Sequence, residues 1–438
     1  LNIVKMNRQI LRLAIPSIFA NITVPLVGMV DLAIAGHIAD AAAIGGIAIG
    51  TMLFDLLYWN FGFLRVGTGG MTAQAYGKRD FKEAISIFTQ GIATALGAAM
   101  IIWLIQILFI EASFALIDCS SDVESFARRY FFIRIWAAPA TLSLMVFKGW
   151  FIGMQNTIFP MILDITINVV NMVGSYLLAV NFSMGVIGVA WGTLLAQYIG
   201  LLLAITLFII GYRGYFKHFS IFESLRLEKI KRMFSINSKL FVRSLCFMAV
   251  YVGFTSLSAK YGDEALAVSS IMMKLMMIFS YFIDGFAYAG EALTGKFVGE
   301  RNTNQLRICI KKLFQWASLI GVIFTFVYWF WGNDMFALMT SDKNVLTAAE
   351  EFTPWLIIMP FISCAAFTWD GIYIGATAAK EVRDCMIWAA IGFILCYILL
   401  KNTLGIHALY VGYFAHLLIR TLYLSFSTKV LYRIKEEN

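Results

Sequence analysis

Twelve apolar runs, each long enough to cross a bilayer as a helix, restrict this chain to very few folds. They occupy residues 10–35, 43–70, 83–110, 127–152, 159–180, 185–212, 238–260, 266–290, 310–332, 350–376, 384–401 and 404–428. A spanning helix needs ~20 such residues to cover ~30 Å of hydrocarbon. Inside lipid every backbone polar group must bond internally, which leaves helices or closed barrels. Barrel strands read as short alternating segments, whereas these runs are continuous. The expected class is therefore an all-α polytopic membrane protein. The chain is 60% hydrophobic and 14% charged, against about a quarter charged in soluble domains.

Charge sets the expected orientation. The termini and even-numbered connections hold 22 Lys and Arg, and the odd-numbered connections hold five (Arg128, Arg129, Lys260, Lys343, Lys401). The positive-inside rule then places both termini in the cytoplasm. The net charge of +8 belongs to this asymmetry and not to nucleic-acid binding. The first run leads into a full-length span, so no cleavable leader is expected.

The chain also repeats itself. GWFIGMQNT at 149–157 pairs with GIYIGATAA at 371–379, and AYGKRD at 75–80 with FVGERN at 297–302, both at an offset of 222. Six helices per copy is an even number, so the copies share one topology. Two six-helix lobes related by a pseudo-two-fold axis along the membrane normal are expected, over residues 1–212 and 237–438. Residues 213–236 are basic and amphipathic, which predicts a linker lying along the cytoplasmic surface.

Polar residues inside the spans are the candidates for function. Asp31 stands in the first span, and an acid at a helix centre costs roughly 2.5–3.5 kcal/mol. At ~1.5 Å per residue, Asp31, Asn171, Ser175 and Thr193 come to similar depth in the outer half of the first lobe. Asn171 and Ser175 are four apart and share a helix face. Arg134, early in the fourth helix, is expected to join them. Pro16 and Pro25 each remove a backbone hydrogen bond and can bend the first helix. Lys148 and Arg65 lie near inner helix ends and read as snorkelling cations. Asp55 sits at mid-membrane without an assigned partner. In the second lobe Arg243, Asp284 and Asp370 fall in inner halves and predict a structural or gating charge network, with a second coupling site as the alternative, and Glu291 lies nearer the cytoplasm. Lys274 has no assigned role.

Several chemistries find no constellation. The six cysteines show no paired spacing and read as small core residues. The four histidines form no metal motif, so neither a metal site nor a cofactor is expected. GEALTGK at 290–296 fits the phosphate-loop pattern, but Phe297 follows where Ser or Thr should hold magnesium, and the stretch closes a membrane helix. Without a nucleotide site, transport would be passive or ion-driven.

FLRVGTGGMTAQAYGKRD at 63–80, IRIWAAPATL at 133–142, IDGFAYAGEALTGKFVGE at 283–300 and WDGIYIGAT at 369–377 resemble the multidrug and toxic compound extrusion (MATE) family, in particular its DinF branch. The resemblance spreads over nearly the whole chain. It implies an exporter, not an enzyme, that exchanges protons or sodium for small organic, often cationic or amphiphilic, substrates in the cytoplasmic (inner) membrane. Asp31 matches the family's acid in the first helix and Pro16 its bending proline. Asn171 and Thr193 match polar residues of the amino-terminal cavity. Many relatives carry an Asp four residues after that Asn, where this chain has Ser175. Asp31 is then the lobe's principal acid, and single-proton coupling is the simpler expectation. Asp370 lies near an acid that other branches use for sodium. A monomer surrounded by membrane lipids, binding no nucleic acid, is the expected working unit. The competing expectations are a sodium-coupled exporter, a lipid-linked oligosaccharide flippase of the same superfamily, a membrane-embedded enzyme and a passive channel.

Overall fold

Every apolar run becomes a helix, because a helix bonds its own backbone within lipid. The computed structural model describes residues 2–37, 41–340 and 342–432, without the side chains of 2, 3, 29, 31, 32, 35–37 and 41. Its twelve candidate spans correspond to the helices α1 (Asn2–His37), α2 (Ala41–Gly77, with one break), α3 (Phe81–Leu116), α4 (Ser121–Gly153), α5 (Ile158–Asn181), α6 (Gly185–Tyr212), α7 (Leu227–Ser258), α8 (Asp263–Gly299), α9 (Thr303–Met339), α10 (Lys343–Gly375), α11 (Ala379–Leu404) and α12 (His407–Phe426). Many exceed their apolar runs. The 36 residues of α3 span ~54 Å at ~1.5 Å per residue, more than the hydrocarbon layer needs. Their ends project and are capped: Asp80 accepts from the Glu83 N–H at 3.0 Å, and Asn302 from the Gln305 N–H at 3.1 Å.

Two helices carry local breaks. In α2 the turn Asn60–Gly62 separates Ala41–Trp59 from Phe63–Gly77, and the Asn60 side chain donates to the Leu56 carbonyl at 2.7 Å. Such side-chain competition for the backbone weakens the helical ladder. In α4 a short 3₁₀ turn, Ile135–Ala137, precedes Pro139, which lacks the N–H to continue the ladder.

The 222-residue repeat is written into backbone geometry. A Cβ on Gly149 would lie 2.2 Å from the Arg65 carbonyl oxygen, and one on Gly371 2.2 Å from that of Ala287. One turn on, a Cβ on Gly153 would lie 2.7 Å from the Gly69 oxygen, and one on Gly375 2.3 Å from that of Glu291. Thus α4 lies directly on α2, and α10 on α8, through the same glycines. The helix ends repeat as well. Arg79 (φ 57°) matches Arg301 (φ 54°), and Gln155 (φ 63°) matches Thr377 (φ 54°). At each of them the chain closes a Schellman turn, as where the Asp80 N–H reaches the Ala75 carbonyl at 2.9 Å and that of Asn302 reaches Phe297 at 2.9 Å.

The chain divides into two compact units. One holds Phe19–Phe234; the other holds the chain up to Ile18 together with everything from Ser235. The first unit packs an aromatic cluster in which the rings of Phe88, Phe147, Trp150 and Phe208 meet at 4.4–5.8 Å, mostly edge to face. The second packs Phe254, Phe279, Tyr328, Phe352 and Tyr410. α1 serves both. Gly285 of α8 leaves room for Ala14 and Ile18, and the Trp316 indole of α9 donates to Asn7 at 3.3 Å. The cut falls at 18/19 and 234/235, and not at the ends of the 213–236 linker expected from sequence. Only 213–226 stands outside helices α6 and α7, because α7 already begins at Leu227.

Gly149→Ala and Gly371→Ala push a methyl into backbone that cannot move aside. Each should cost about 1–3 kcal/mol in thermal unfolding of the detergent-purified protein. Gly97→Ala meets nothing within 4 Å and should be neutral or gain up to ~1 kcal/mol from helix propensity.

Candidate functional site

Four polar residues at helical spacing mark one face of α5: Asp164, Asn168, Asn171 and Ser175. Steps of four, three and four keep them on one stripe. Each meets a different point of the surrounding helices. Asp164 takes an ion pair from Lys148 of α4. The Asn168 amide donates to Thr23 of α1 at 2.5 Å. The Asn171 amide donates to the Thr193 hydroxyl of α6 at 3.0 Å. The Ser175 and Thr193 hydroxyls both donate to the Val189 carbonyl, at 3.4 and 3.1 Å.

The contact with α6 depends on missing side chains. A Cβ on Gly192 would lie 2.5 Å from Ser175 Oγ, and one on Gly188 2.5 Å from the Ala179 nitrogen. This small-xxx-small spacing lets two membrane helices approach closely and brings Thr193 within reach of Asn171. All three residues are buried, and Asn171 Oδ1 has no hydrogen-bond partner among the described residues. A buried acceptor of this kind costs about 1–3 kcal/mol, which a polar or cationic guest would relieve.

The sequence expectation of one cluster separates into parts. Asn171, Ser175 and Thr193 come together. Arg134 is engaged elsewhere: it donates to the Tyr130 hydroxyl at 2.8 Å and stacks over the Phe54 ring at 4.7 Å. Its guanidinium also lies within electrostatic reach of Asp55, which supplies that acid with a counter-charge. Asp31 lies on α1 two turns beyond Thr23, with its side chain outside the described residues. Pro16 and Pro25 sit inside an uninterrupted helical stretch.

Lys148 corrects the sequence reading. It does not snorkel; it pairs with Asp164. The signal was present, since Lys148 stands five residues before the end of α4 and Asp164 six residues after the start of α5. Antiparallel neighbours at that spacing share a depth. Asn168 could have been found by the same counting along the stripe.

In the other unit one carboxylate oxygen joins three helices. Asp370 Oδ2 of α10 receives Arg243 of α7 at 2.8 Å and Arg420 of α12 at 2.5 Å. Arg420 is only 1% exposed and covers the Phe367 ring at 5.3 Å. It escaped the sequence reading, although a guanidinium inside an apolar run is as costly as Asp31. Asp284 is partly buried on α8, and Glu291 fully so; both are engaged in interactions of their own. Arg65 is likewise engaged, and Lys274 is exposed. At the 222 offset Lys148 corresponds to Asp370, so the two repeats carry opposite charges at one position.

Asp370→Asn strands the buried guanidinium of Arg420 and the partly exposed one of Arg243 and should cost about 3–5 kcal/mol in thermal unfolding. Arg420→Gln leaves Asp370 paired with Arg243 and should cost clearly less.

Comparison with known proteins completes the description. The MatE family model matches residues 16–177 and 240–401. The DNA damage-inducible protein F of Escherichia coli (strain K12) is 33% identical over 421 residues, covering 96% of this chain and 91% of that protein. The human multidrug and toxin extrusion protein 1 is 22% identical over 419 residues, covering 92% of this chain and 71% of the relative. A crystal structure of MATE in the bent conformation superposes with a TM-score of 0.86 at 16% identity, covering 98% of each chain. With twelve helices long and apolar enough to span a membrane, the chain belongs to the MatE family and is a multi-pass transporter of the multidrug and toxin extrusion kind.

Proposed function

We propose that the chain is a proton-coupled exporter of organic, cationic or amphiphilic molecules, with Asp31 as the coupling acid and α1 as the moving part. The observation that carries the reading is the divided allegiance of α1. Up to Ile18 it belongs to one compact unit and from Phe19 to the other, and the change falls two residues after Pro16. Proline removes a ladder hydrogen bond there, so the helix can bend where its packing partner changes. On the far side of that point the Thr23–Asn168 hydrogen bond ties α1 to the polar stripe of α5. The bent conformation named for one solved relative is consistent with such a movement.

The cycle then runs as follows. With Asp31 ionised, a site beside α5 holds a cation, and Asn171 and Thr193 supply polar contacts. A proton arriving from outside neutralises Asp31, α1 bends, and affinity for the cargo falls. A single coupling acid moves one proton per cycle, so export of a monovalent cation is electroneutral and driven by the pH gradient alone. Each pH unit then supports a tenfold cargo gradient, about 1.4 kcal/mol. We further propose that it works as a monomer in the cytoplasmic membrane with both termini inside, the last supported by the 22 basic residues assigned to that side. A flippase for pyrophosphate-linked sugars would need free cations on its cavity wall. Here Lys148, Arg243 and Arg420 are each bound to a carboxylate, which favours the exporter.

The test is dye-cation transport in proteoliposomes under an imposed pH or sodium gradient. A pH gradient should drive the wild type, and Asp31→Asn should fall to background. Asn171→Ala should weaken dye affinity several-fold while leaving the pH dependence in place. Transport driven by sodium alone and retained in Asp31→Asn would sink the proton model and move the coupling site to the other unit.

A further inference from the structure

The segment between α6 and α7 is held rigidly yet turns large apolar side chains outward. It comprises a 3₁₀ run, Arg213–His218, and one helical turn, Ile221–Ser224. Two sets of contacts fix it on the Phe19–Phe234 unit. The Tyr215 ring meets Phe81 at 4.6 Å and the Phe216 ring meets Phe208 at 5.4 Å. Further along, Glu223 pairs with Lys82 at 2.7 Å, and Lys229 pairs with Glu83 at 3.2 Å and donates to Ser86 at 3.1 Å. The Lys82 ammonium holds the Glu223 carboxyl below its ordinary range, so this pin persists in mild acid.

Between the pins the outward face is unusual for a water-facing loop. Phe222 is 94% exposed, and Phe219, Ile221 and Leu227 are at least half exposed. Interleaved with them, Arg213, Lys217, Arg226 and Lys231 are exposed, and none makes a salt bridge among the described residues. From 213 to 232 the chain carries six Lys or Arg against two Glu. The segment directly follows the apolar run 185–212, which brings its start to the level of lipid headgroups. Water favours neither half of such a surface fully. An anionic headgroup layer takes both, the cations through phosphate oxygens and the rings through the acyl boundary.

We propose that residues 213–231 are a docking site for anionic phospholipid headgroups, with Phe222 inserted at the acyl boundary and the four exposed cations around it. The proposal is independent of which ion drives transport. Its attraction should be screened by salt, since a Debye length is ~8 Å at physiological ionic strength.

The experiment is native mass spectrometry of the full-length protein with phosphatidylglycerol or phosphatidylcholine added to the detergent. Wild type should retain phosphatidylglycerol preferentially. A basic residue near an anionic surface contributes roughly fivefold, so replacing Arg213, Lys217, Arg226 and Lys231 together by Gln should weaken retention at least tenfold. Phe222→Ser should weaken it several-fold. Lipid-free melting temperatures equal to wild type verify that the variants fold. Should the quadruple variant fail to fold, hydrogen exchange of wild type in nanodiscs decides: amides of 213–226 should be protected in phosphatidylglycerol relative to phosphatidylcholine. Equal retention of the two lipids by wild type, unchanged phosphatidylglycerol retention in the quadruple variant, or exchange that does not depend on the lipid would overturn the proposal. In that case a protein ligand becomes the better reading of this face.

Discussion

Close backbone contact at two glycines holds each repeat together. Lipid offers no hydrophobic drive between helices, since its tails are as apolar as leucine. Association therefore depends on how near two backbones can come. Gly149 and Gly153 let α4 rest on the carbonyls of α2, and Gly371 and Gly375 do the same for α10 on α8. With those axes fixed, Trp150 can donate to the Ala84 carbonyl at 2.8 Å, and Tyr373 to that of Leu424 at 2.5 Å. The aromatic clusters fill what remains around these contacts. The same device, through Gly188 and Gly192, brings α6 onto the polar stripe of α5.

Charge is then placed between packed helices, fully buried at Arg420 and Asp370 and partly buried at Lys148 and Asp164. Each buried ionic group carries a desolvation cost, and the geometry offsets it with partners of opposite sign. The repeats do this differently. One uses a single pair, Lys148 with Asp164, on adjacent helices. The other inverts the sign at the equivalent position and surrounds Asp370 with two guanidiniums from α7 and α12. The second arrangement ties three helices at one point and is suited to rigidity. The first lies at one end of the stripe along α5, whose other members include an acceptor with unmet bonding capacity, and is suited to a binding wall. Duplication supplied one scaffold, and side-chain chemistry has since made its halves unequal.

The helix that connects these roles is α1. It crosses from one unit to the other within two residues of Pro16 and is held on the second side by a side-chain hydrogen bond. In the proposed cycle, a helix anchored at both ends with a proline between them would turn a local change of charge into a change of shape. Asp31 stands on the segment beyond the weak point, so neutralising it would act on that segment first.

The amino-acid sequence by itself determined the number of spans, the 222-residue duplication and the shared level of Asn171 and Thr193. Run length and rise per residue are one-dimensional quantities, and a chain displays them directly. Counting along the helices is thus enough to bring Asn171 and Thr193 to one level. Rotation about each helix axis and the choice of lateral neighbour were decided only in the tertiary structure. In water an amphipathic face announces which side is buried. In lipid both the protein-facing and the lipid-facing sides are apolar, so that signal is nearly absent. For this reason Arg134 turned toward Phe54 and Asp55 instead of Asn171, Lys148 found Asp164, and Arg420 emerged as the second partner of Asp370. The division of α1 at Ile18 was hidden for the same reason: it rests on Gly285 and Trp316, which lie more than 260 residues further along the chain.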